Sequence, residues 1–289
     1  MEEIKDIKTG IVLEGGAMRG MFTAGVLDVL LENNISVDGV IGVSAGATFG
    51  CNFKSKQIGR TIRYNKRFAG DKRYCSISSL IKTGDLYNAD FCYNQIPNVL
   101  DIYDVNTYRS NPVKFYVVAS DCVTGMPVYK ELKTCDKDDL TWMRASASMP
   151  LCSKIVEIDG YKLLDGGMTD SIPIKKFEEM GYNKNIVILT QPRDYVKKKA
   201  SLLGLMKIML RKYPKLVDAM KKRHIVYNEE KNYVFNKADK GEMIVICPKK
   251  PLGISRTEKN PAELERVYEE GRIVGKEMLG QVKSFLDRS

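Results

Sequence analysis

The chain has 289 residues, 44% of them hydrophobic, which is ample for the core of an α/β domain. No run of about eighteen apolar residues occurs, so nothing in it is read as spanning a membrane. The net charge of +10 favours anionic partners, yet no nucleic-acid module or aromatic-interleaved basic tract is present and nucleic acid is set aside. Seven scattered cysteines without a C-x-x-C pair, beside a single histidine, exclude a zinc constellation and suit reduced thiols in a cytoplasmic protein. Met1–Asp6 carries both charge signs, unlike a signal peptide.

Ile11-Val12-Leu13 is a short apolar strand, followed by the turn Glu14-Gly15-Gly16-Ala17-Met18-Arg19-Gly20. The helix Met21–Leu31 comes next, with Phe22, Val26, Val29 and Leu30 on one face. A glycine-rich turn between a strand and a helix N-terminus leaves backbone amides pointing outward and makes an anion site. The anion is either a phosphate or the oxyanion of an acyl-transfer transition state. The fingerprint G-x-G-x-x-G is not met, because Glu14 stands where its first glycine belongs, and no G-x-x-x-x-G-K-[ST] occurs. An oxyanion loop over Gly15–Gly20 is therefore favoured over a phosphate loop.

The strand Val37–Val43 runs into Gly42-Val43-Ser44-Ala45-Gly46, a serine between two glycines. A serine hydroxyl becomes a useful nucleophile when a sharp turn exposes it, a base takes its proton and amides receive the developing charge. Gly42 and Gly46 leave such a turn uncrowded. Further along come the strand Val113–Ala119 and an antiparallel portion around Val123–Tyr129. A hairpin of Lys154–Ile158 and Tyr161–Leu164 follows, turning at Asp159-Gly160. It ends at Asp165-Gly166-Gly167, where Asp165 taken alone reads as a turn cap. A helix over Ile174–Met180, buried strands Asn185–Leu189 and Met243–Cys247, and a closing helix Pro261–Phe285 complete the pattern. The fold class expected is α/β, a doubly wound three-layer sandwich with a mostly parallel central sheet and a β-hairpin portion. It is expected as a single domain over 1–289, with a core of about 10–190 and a C-terminal strand and helix over about 243–286.

Gly15-Gly16-Ala17-Met18-Arg19-Gly20, Gly42-Val43-Ser44-Ala45-Gly46 and Asp165-Gly166-Gly167 together resemble the patatin-like phospholipase family. That family orders a G-G-x-x-[RK]-G oxyanion loop, a G-x-S-x-G elbow and a D-G-[GA] base in this way. The resemblance runs from about Gly10 to about Thr190 and includes Ala145–Pro150 and Ile172-Pro173. It implies a lipid acyl hydrolase with a serine–aspartate dyad, Ser44 as nucleophile and Asp165 as base. The implied substrates are phospholipid or other acyl esters, and no metal or other cofactor is needed. Many relatives carry asparagine shortly after D-G-G. Here Asp170-Ser171 stands instead, and no role is carried over.

The single histidine, His224, allows a second reading: a Ser44–Asp165–His224 triad in the chain order of α/β-hydrolases. It sits in Lys221–Ile225, read as the end of a basic helix, where cationic neighbours oppose its proton. With His224 aside, Asp165 must be the base, and an apolar surround has to raise it above the roughly 4 of a free aspartate.

Between Lys197 and Arg223 lie ten basic residues against Asp218 alone, around the apolar block Leu202–Leu210. This stretch, with Lys197, Lys198, Lys199, Arg211 and Lys212, reads either as a lid or docking element for anionic lipid or as a helix packing its apolar face on the core. Ser146 and Ser148 are expected to satisfy local backbone, Asp121 to serve a turn and Trp142 to lie in the core. Lys66–Arg73 is read as a solvated loop, and Arg19 as orienting the loop or a lipid phosphate. A catalytically silent lipid- or partner-binding protein, and a nucleotide binder using Gly15–Gly20, are the readings from other classes.

Overall fold

The computed structural model describes residues 7–287, so the Met1–Asp6 stretch lies outside the described residues. In chain order the first half comprises β1 (Lys8–Leu13), α1 (Gly20–Glu32), β2 (Gly39–Val43), α2 (Ala45–Lys54), α3 (Arg60–Phe68), α4 (Ile77–Thr83) and α5 (Val105–Ser110). β3 (Lys114–Asp121), β4 (Pro127–Leu132), α6 (Lys137–Ser146), β5 (Val156–Ile158), β6 (Tyr161–Asp165), α7 (Ile174–Glu179) and β7 (Tyr182–Ile188) follow. The chain closes with α8 (Leu203–Met209), α9 (Pro214–Asp239), β8 (Ile244–Ile246) and α10 (Pro261–Asp287).

The eight strands form one sheet in the order β5-β6-β3-β2-β1-β7-β8, with β4 also paired to β3. β3, β2, β1, β7 and β8 run parallel, and β4, β6 and β5 add the antiparallel portion. Apolar residues alternate between faces, as a pleated strand requires. Ile11, Leu13, Val40 and Ile186 join a cluster with α1, α2 and α10, while Val12, Ile41, Val43 and Val187 join another with α7 and α9. The sheet is thus the middle of three layers, as expected. The chain winds from β1 through β2 to β3 and then returns to place β7 on the other side of β1. That reversal opens a crevice beyond the carboxyl ends of the strands.

Several expectations need correcting. α1 is buried along its length from Gly20 to Leu30, on more than the one apolar face read from the sequence, because α10 packs along it. The antiparallel strand begins at Pro127, and Val123–Gly125 form the turn before it, held by the Asp121 carboxylate. Residues 197–223 are not one amphipathic element. The proline at the first turn of α9 starts a new helix after α8, and α9 continues to Asp239, so His224 is a mid-helix residue. The hairpin turn at Asp159-Gly160 has both residues at positive φ, 49° and 79°, as an Asp-Gly turn of this class demands. No helix among the described residues is long and apolar enough to cross a membrane.

Candidate active site

Ser44 stands between β2 and α2 with φ 55° and ψ −119°. A non-glycine residue in that conformation costs on the order of 1–3 kcal/mol and persists only where its surroundings enforce it. They do so here on every side. The Ser44 amide donates to Ser146 Oγ at 3.0 Å, and its carbonyl accepts from Ala47 and Thr48 as α2 begins. A Cβ on Gly42 would come within 2.4 Å of the Gly46 carbonyl oxygen, and one on Gly46 within 2.5 Å of the Leu13 oxygen. Both glycines are therefore sterically required for the elbow. Ser146 was expected to serve local backbone; instead it braces a turn 102 residues away.

The loop after β1 wraps the same point. A Cβ on Gly15 would lie 2.8 Å from Ser44 Cβ, so the Gly15 backbone rests against the serine. The amides of Gly15 and Gly16 have no protein acceptor among the described residues. Ala17 takes a positive φ of 50°, Ala17–Arg19 form a single tight helical turn, and Gly20 packs on Ala45 and Phe49 of α2. Glu14 fixes the loop from beneath. It is buried, accepts from the Thr190 amide at 2.7 Å, and accepts from the Tyr227 hydroxyl of α9 at 2.9 Å. The residue that breaks the nucleotide fingerprint is thus a structural anchor.

Sheet register brings Asp165 to this point. Val43 pairs with Val118 across β2 and β3, and Asp165 pairs with Ala119 across β6 and β3. Ser44 and Asp165 consequently flank the same position of β3 from either side, about two strand spacings apart, or roughly 10 Å between backbones. Gly166 lets the turn close over β3, since a Cβ there would meet the Val118 oxygen at 2.2 Å. The Ser44 hydroxyl is close enough to the Asp165 carboxylate to favour its charged form, while no hydrogen bond within 3.5 Å joins the two side chains among the described residues. Burial pushes the Asp165 carboxyl above the usual range. The Ser44 hydroxyl, the charge of Arg223 and the Gly167 amide, which donates to Oδ1 at 2.8 Å, pull it partway back. His224 makes no hydrogen bond or ion pair with Asp165 among the described residues, whereas its neighbour Arg223 acts on Asp165 and donates from Nε to the Gly167 carbonyl.

A cavity of about 300 Å³ opens from Ser44 into the layer between sheet and helices. Met18, Phe49, Tyr64, Tyr93, Ile96 and Met143 are among its walls. Much of this wall comes from residues 60–103, including a helix over Phe91–Leu100 wound at the wider π pitch around Pro97. Sequence reasoning missed this region, although its tyrosines at 64, 74, 87, 93 and 103 were a visible aromatic density.

The remaining candidates separate. Lys198, Lys199, Arg211 and Lys212 are exposed, but Lys197 folds inward, with its ammonium 3.7 Å from the centre of the Tyr227 ring and its amide bonded to Asn228. Burial, then the charge of Arg223, pushes its pKa down to about 7. Trp142 is core as expected, and Ser148 Oγ donates to the Arg144 carbonyl. Lys66 and Arg67 lie in the last turn of α3 instead of a loop, where Lys66 pairs with Glu265 at 2.7 Å and Arg67 donates to the Leu100 carbonyl, while Arg67, Lys72 and Arg73 are exposed as expected. Beneath the Asp165 turn, Asp170 is half-buried and Glu230 of α9 is buried, and desolvation raises both carboxyls. Asp170 Oδ2 accepts from the Tyr129 hydroxyl and Glu230 accepts from the Ile172 amide. Asp170 Oδ1 is buried without a partner among the described residues, and a proton shared with the Glu230 carboxyl would satisfy it.

Residues 11–177 match the family described as "Patatin-like phospholipase". The chain belongs to the patatin-like phospholipase family. A second family, described only as a domain of unknown function (DUF6363), matches residues 213–287, the stretch holding α9, β8 and α10. Among curated relatives, the chain is 26% identical over 290 residues to the uncharacterized protein YjjU of Escherichia coli K12, covering 96% of this chain and 79% of that protein. It is 28% identical over 200 residues to patatin-like phospholipase domain-containing protein 7 of Rattus norvegicus, covering 64% of this chain and 14% of that protein. Lysophospholipase nte1 of Aspergillus fumigatus is 25% identical over 185 residues, covering 60% of this chain and 11% of that protein. Among solved structures, VipD from Legionella pneumophila aligns with a TM-score of 0.47 at 13% identity, covering 96% of this chain and 67% of that one. Membership supports lipid hydrolysis in general terms.

Proposed function

We propose that the chain hydrolyses carboxylic esters of phospholipids or related acyl lipids through Ser44 and Asp165. The observation that carries this reading is the convergence of three groups at one point: a strained serine, a buried carboxyl with raised basicity and two unengaged glycine amides. Ser44 Oγ attacks the acyl carbonyl carbon while its proton passes to Asp165. The carbonyl oxygen becomes an oxyanion that the amides of Gly15 and Gly16 receive. As the tetrahedral intermediate collapses, the ester bond breaks and the leaving alcohol takes the proton from Asp165. Water then gives its proton to Asp165 and attacks the acyl-serine, which frees the fatty acid and restores the hydroxyl. The apolar cavity receives the acyl chain, so the ester is presented with its chain already out of water. Fatty acid released from mixed phospholipid vesicles by the wild-type protein, and absent with Ser44→Ala, tests the reading. Equal release by both proteins contradicts it.

A peripheral membrane contact belongs to the same proposal, with a smaller surface than the sequence suggested. α8 anchors on the body through Leu203 and Leu210, and leaves Leu205, Ile208 and Met209 exposed beside Lys207, Arg211 and Lys212. Near an anionic bilayer each such cation contributes on the order of 1 kcal/mol. Reversing Lys207, Arg211 and Lys212 to glutamate should abolish co-sedimentation with anionic vesicles; undiminished binding contradicts the docking face. The seven free cysteines suit a cytoplasmic setting.

A further inference from the structure

Four cations converge beside Ser44 and Asp165 without a matching set of anions. Lys197 comes from the strap after β7, Arg223 from α9, Arg256 from the loop before α10 and Arg19 from the glycine loop. Arg223 reaches the Gly167 carbonyl of the Asp165 turn, Arg256 lines the cavity that begins at Ser44, and Lys197 sits over the ring of Tyr227, whose hydroxyl bonds Glu14. Arg223, Arg19 and Arg256 all oppose the proton on Lys197, and Arg223 and Arg256 both act on Asp165. The carboxylates in range are Glu14 and Asp165, and each is already engaged, Glu14 by Thr190 and Tyr227, Asp165 by Gly167. None of the four cations makes an ion pair within 4 Å among the described residues. Arg19 Nε is buried with no hydrogen-bond partner among the described residues.

Holding like charges together in a half-buried cleft is unfavourable, and neither the Arg223 bond to the Gly167 carbonyl nor the Lys197 contact with the Tyr227 ring neutralises that charge. The arrangement is nonetheless built with care. The strap is stitched to α9 by Asn228, which bonds both the amide and the carbonyl of Lys197. Lys231, two turns along α9 from Arg223, clamps the carbonyls of Arg193 and Tyr195. Arg223 and Tyr227 share a face of α9 at i,i+4 spacing, so the helix that anchors Glu14 also delivers the guanidinium. Arg256 is exposed, yet it also lines the cavity that begins at Ser44, so it stands at the mouth.

We propose that Lys197, Arg223 and Arg256 form a seat for the phosphate of an acyl lipid, which selects substrates carrying that anion next to the scissile ester. This rests on the hydrolase reading and adds to it a specificity contributed by the chain beyond the patatin-like match. A phosphate offers several oxygens to a planar guanidinium fork and to an ammonium, and it relieves the repulsion among the cations. With the acyl chain in the cavity and the phosphate on this seat, the ester between them lies at Ser44.

Binding to Ser44→Ala protein tests the seat without depending on turnover. Lauroyl lysophosphatidic acid and lauroyl glycerol, which share a chain and differ in the phosphate, are titrated below their micelle concentrations. The phosphate-bearing lipid should bind about tenfold tighter or more. Arg256→Gln and Lys197→Gln should each erase most of that preference, whereas Arg193→Gln, whose cation is paired with Asp239 at the surface, should leave it intact. Arg223→Gln also loosens the Gly167 turn, so it is read together with Arg223→Lys, which keeps the charge and should restore part of the preference. Equal binding of the two lipids, or a preference that survives both glutamine variants, overturns the proposal. Inorganic phosphate binding as tightly as the lipid would assign the seat to free phosphate and overturn the headgroup reading. A preserved preference in binding, with no fatty acid released by wild-type protein, supports the seat and sinks the hydrolase reading alone.

Discussion

The two sides of the site are built by different means. On one side, the carboxyl ends of β1, β2 and β6 place the glycine loop, Ser44 and Asp165 by sheet register, and Gly42, Gly46 and Gly166 beside them meet backbone atoms too close for any Cβ. On the other side, the strap after β7 and the helix α9 supply Lys197, Arg223, Tyr227 and Glu230, held by hydrogen bonds that each involve a side chain and not by strand pairing. The first side can carry chemistry, where errors of an ångström are costly. The second can adjust charge and selectivity, where longer side chains tolerate variation.

The comparison breaks most severely at Asp165. Asp165→Asn keeps the turn bond from Gly167 but removes the proton acceptor, and should lower kcat on a soluble ester by about three to four orders of magnitude. His224→Ala should change it less than about twofold. Initial-rate assays on both variants decide between dyad and triad, and a collapse with His224→Ala would mean that the histidine reaches the site in solution. Next in size is the elbow. Gly46→Ala drives a methyl into the Leu13 carbonyl and should cost about 1–3 kcal/mol in stability together with most of the activity. Unchanged thermal unfolding would show that the turn is looser than the distances imply.

The smallest effect lies beneath the second side. Burial and the neighbouring Asp170 push Glu230 up to about 9, so the folded state favours the shared proton. A raised carboxyl contributes its full stability below the unfolded value near 4.5 and loses it as pH climbs toward the folded value. The wild-type Tm should therefore fall between about pH 5 and about pH 9. Asp170→Asn supplies an amide donor in place of the proton, so its Tm should fall less, and the gap in its favour should widen with pH. Parallel Tm curves would show that the two carboxyls do not share a proton.

These differences explain what could be read from the chain directly. The elbow, the glycine loop and the Asp165 turn were legible because backbone geometry dictates glycine at fixed spacings, as Gly42, Gly46 and Gly166 show. The layered fold was legible because buried strands such as Ile186–Ile188 are continuous apolar runs. Arg223 was not legible: a cation that serves a site looks, in a lysine-rich helix, like any solvated neighbour. Lys197 was misread for the same reason, since only the Tyr227 ring above it distinguishes it from Lys198. The cavity wall over residues 60–103 escaped because its tyrosines follow no single period and gather only when three short helices and the segments between them fold together. Asp170 was visibly unusual after D-G-G, but its partner Glu230 lies sixty residues on.

The central claim is that Ser44 is the activated hydroxyl. A fluorophosphonate probe followed by peptide mass spectrometry addresses it most directly. The account predicts one phosphonylated residue, Ser44, with labelling abolished by Ser44→Ala and severely slowed by Asp165→Asn. Labelling that persists in Ser44→Ala, or that maps to Ser146 or Ser148, would contradict it.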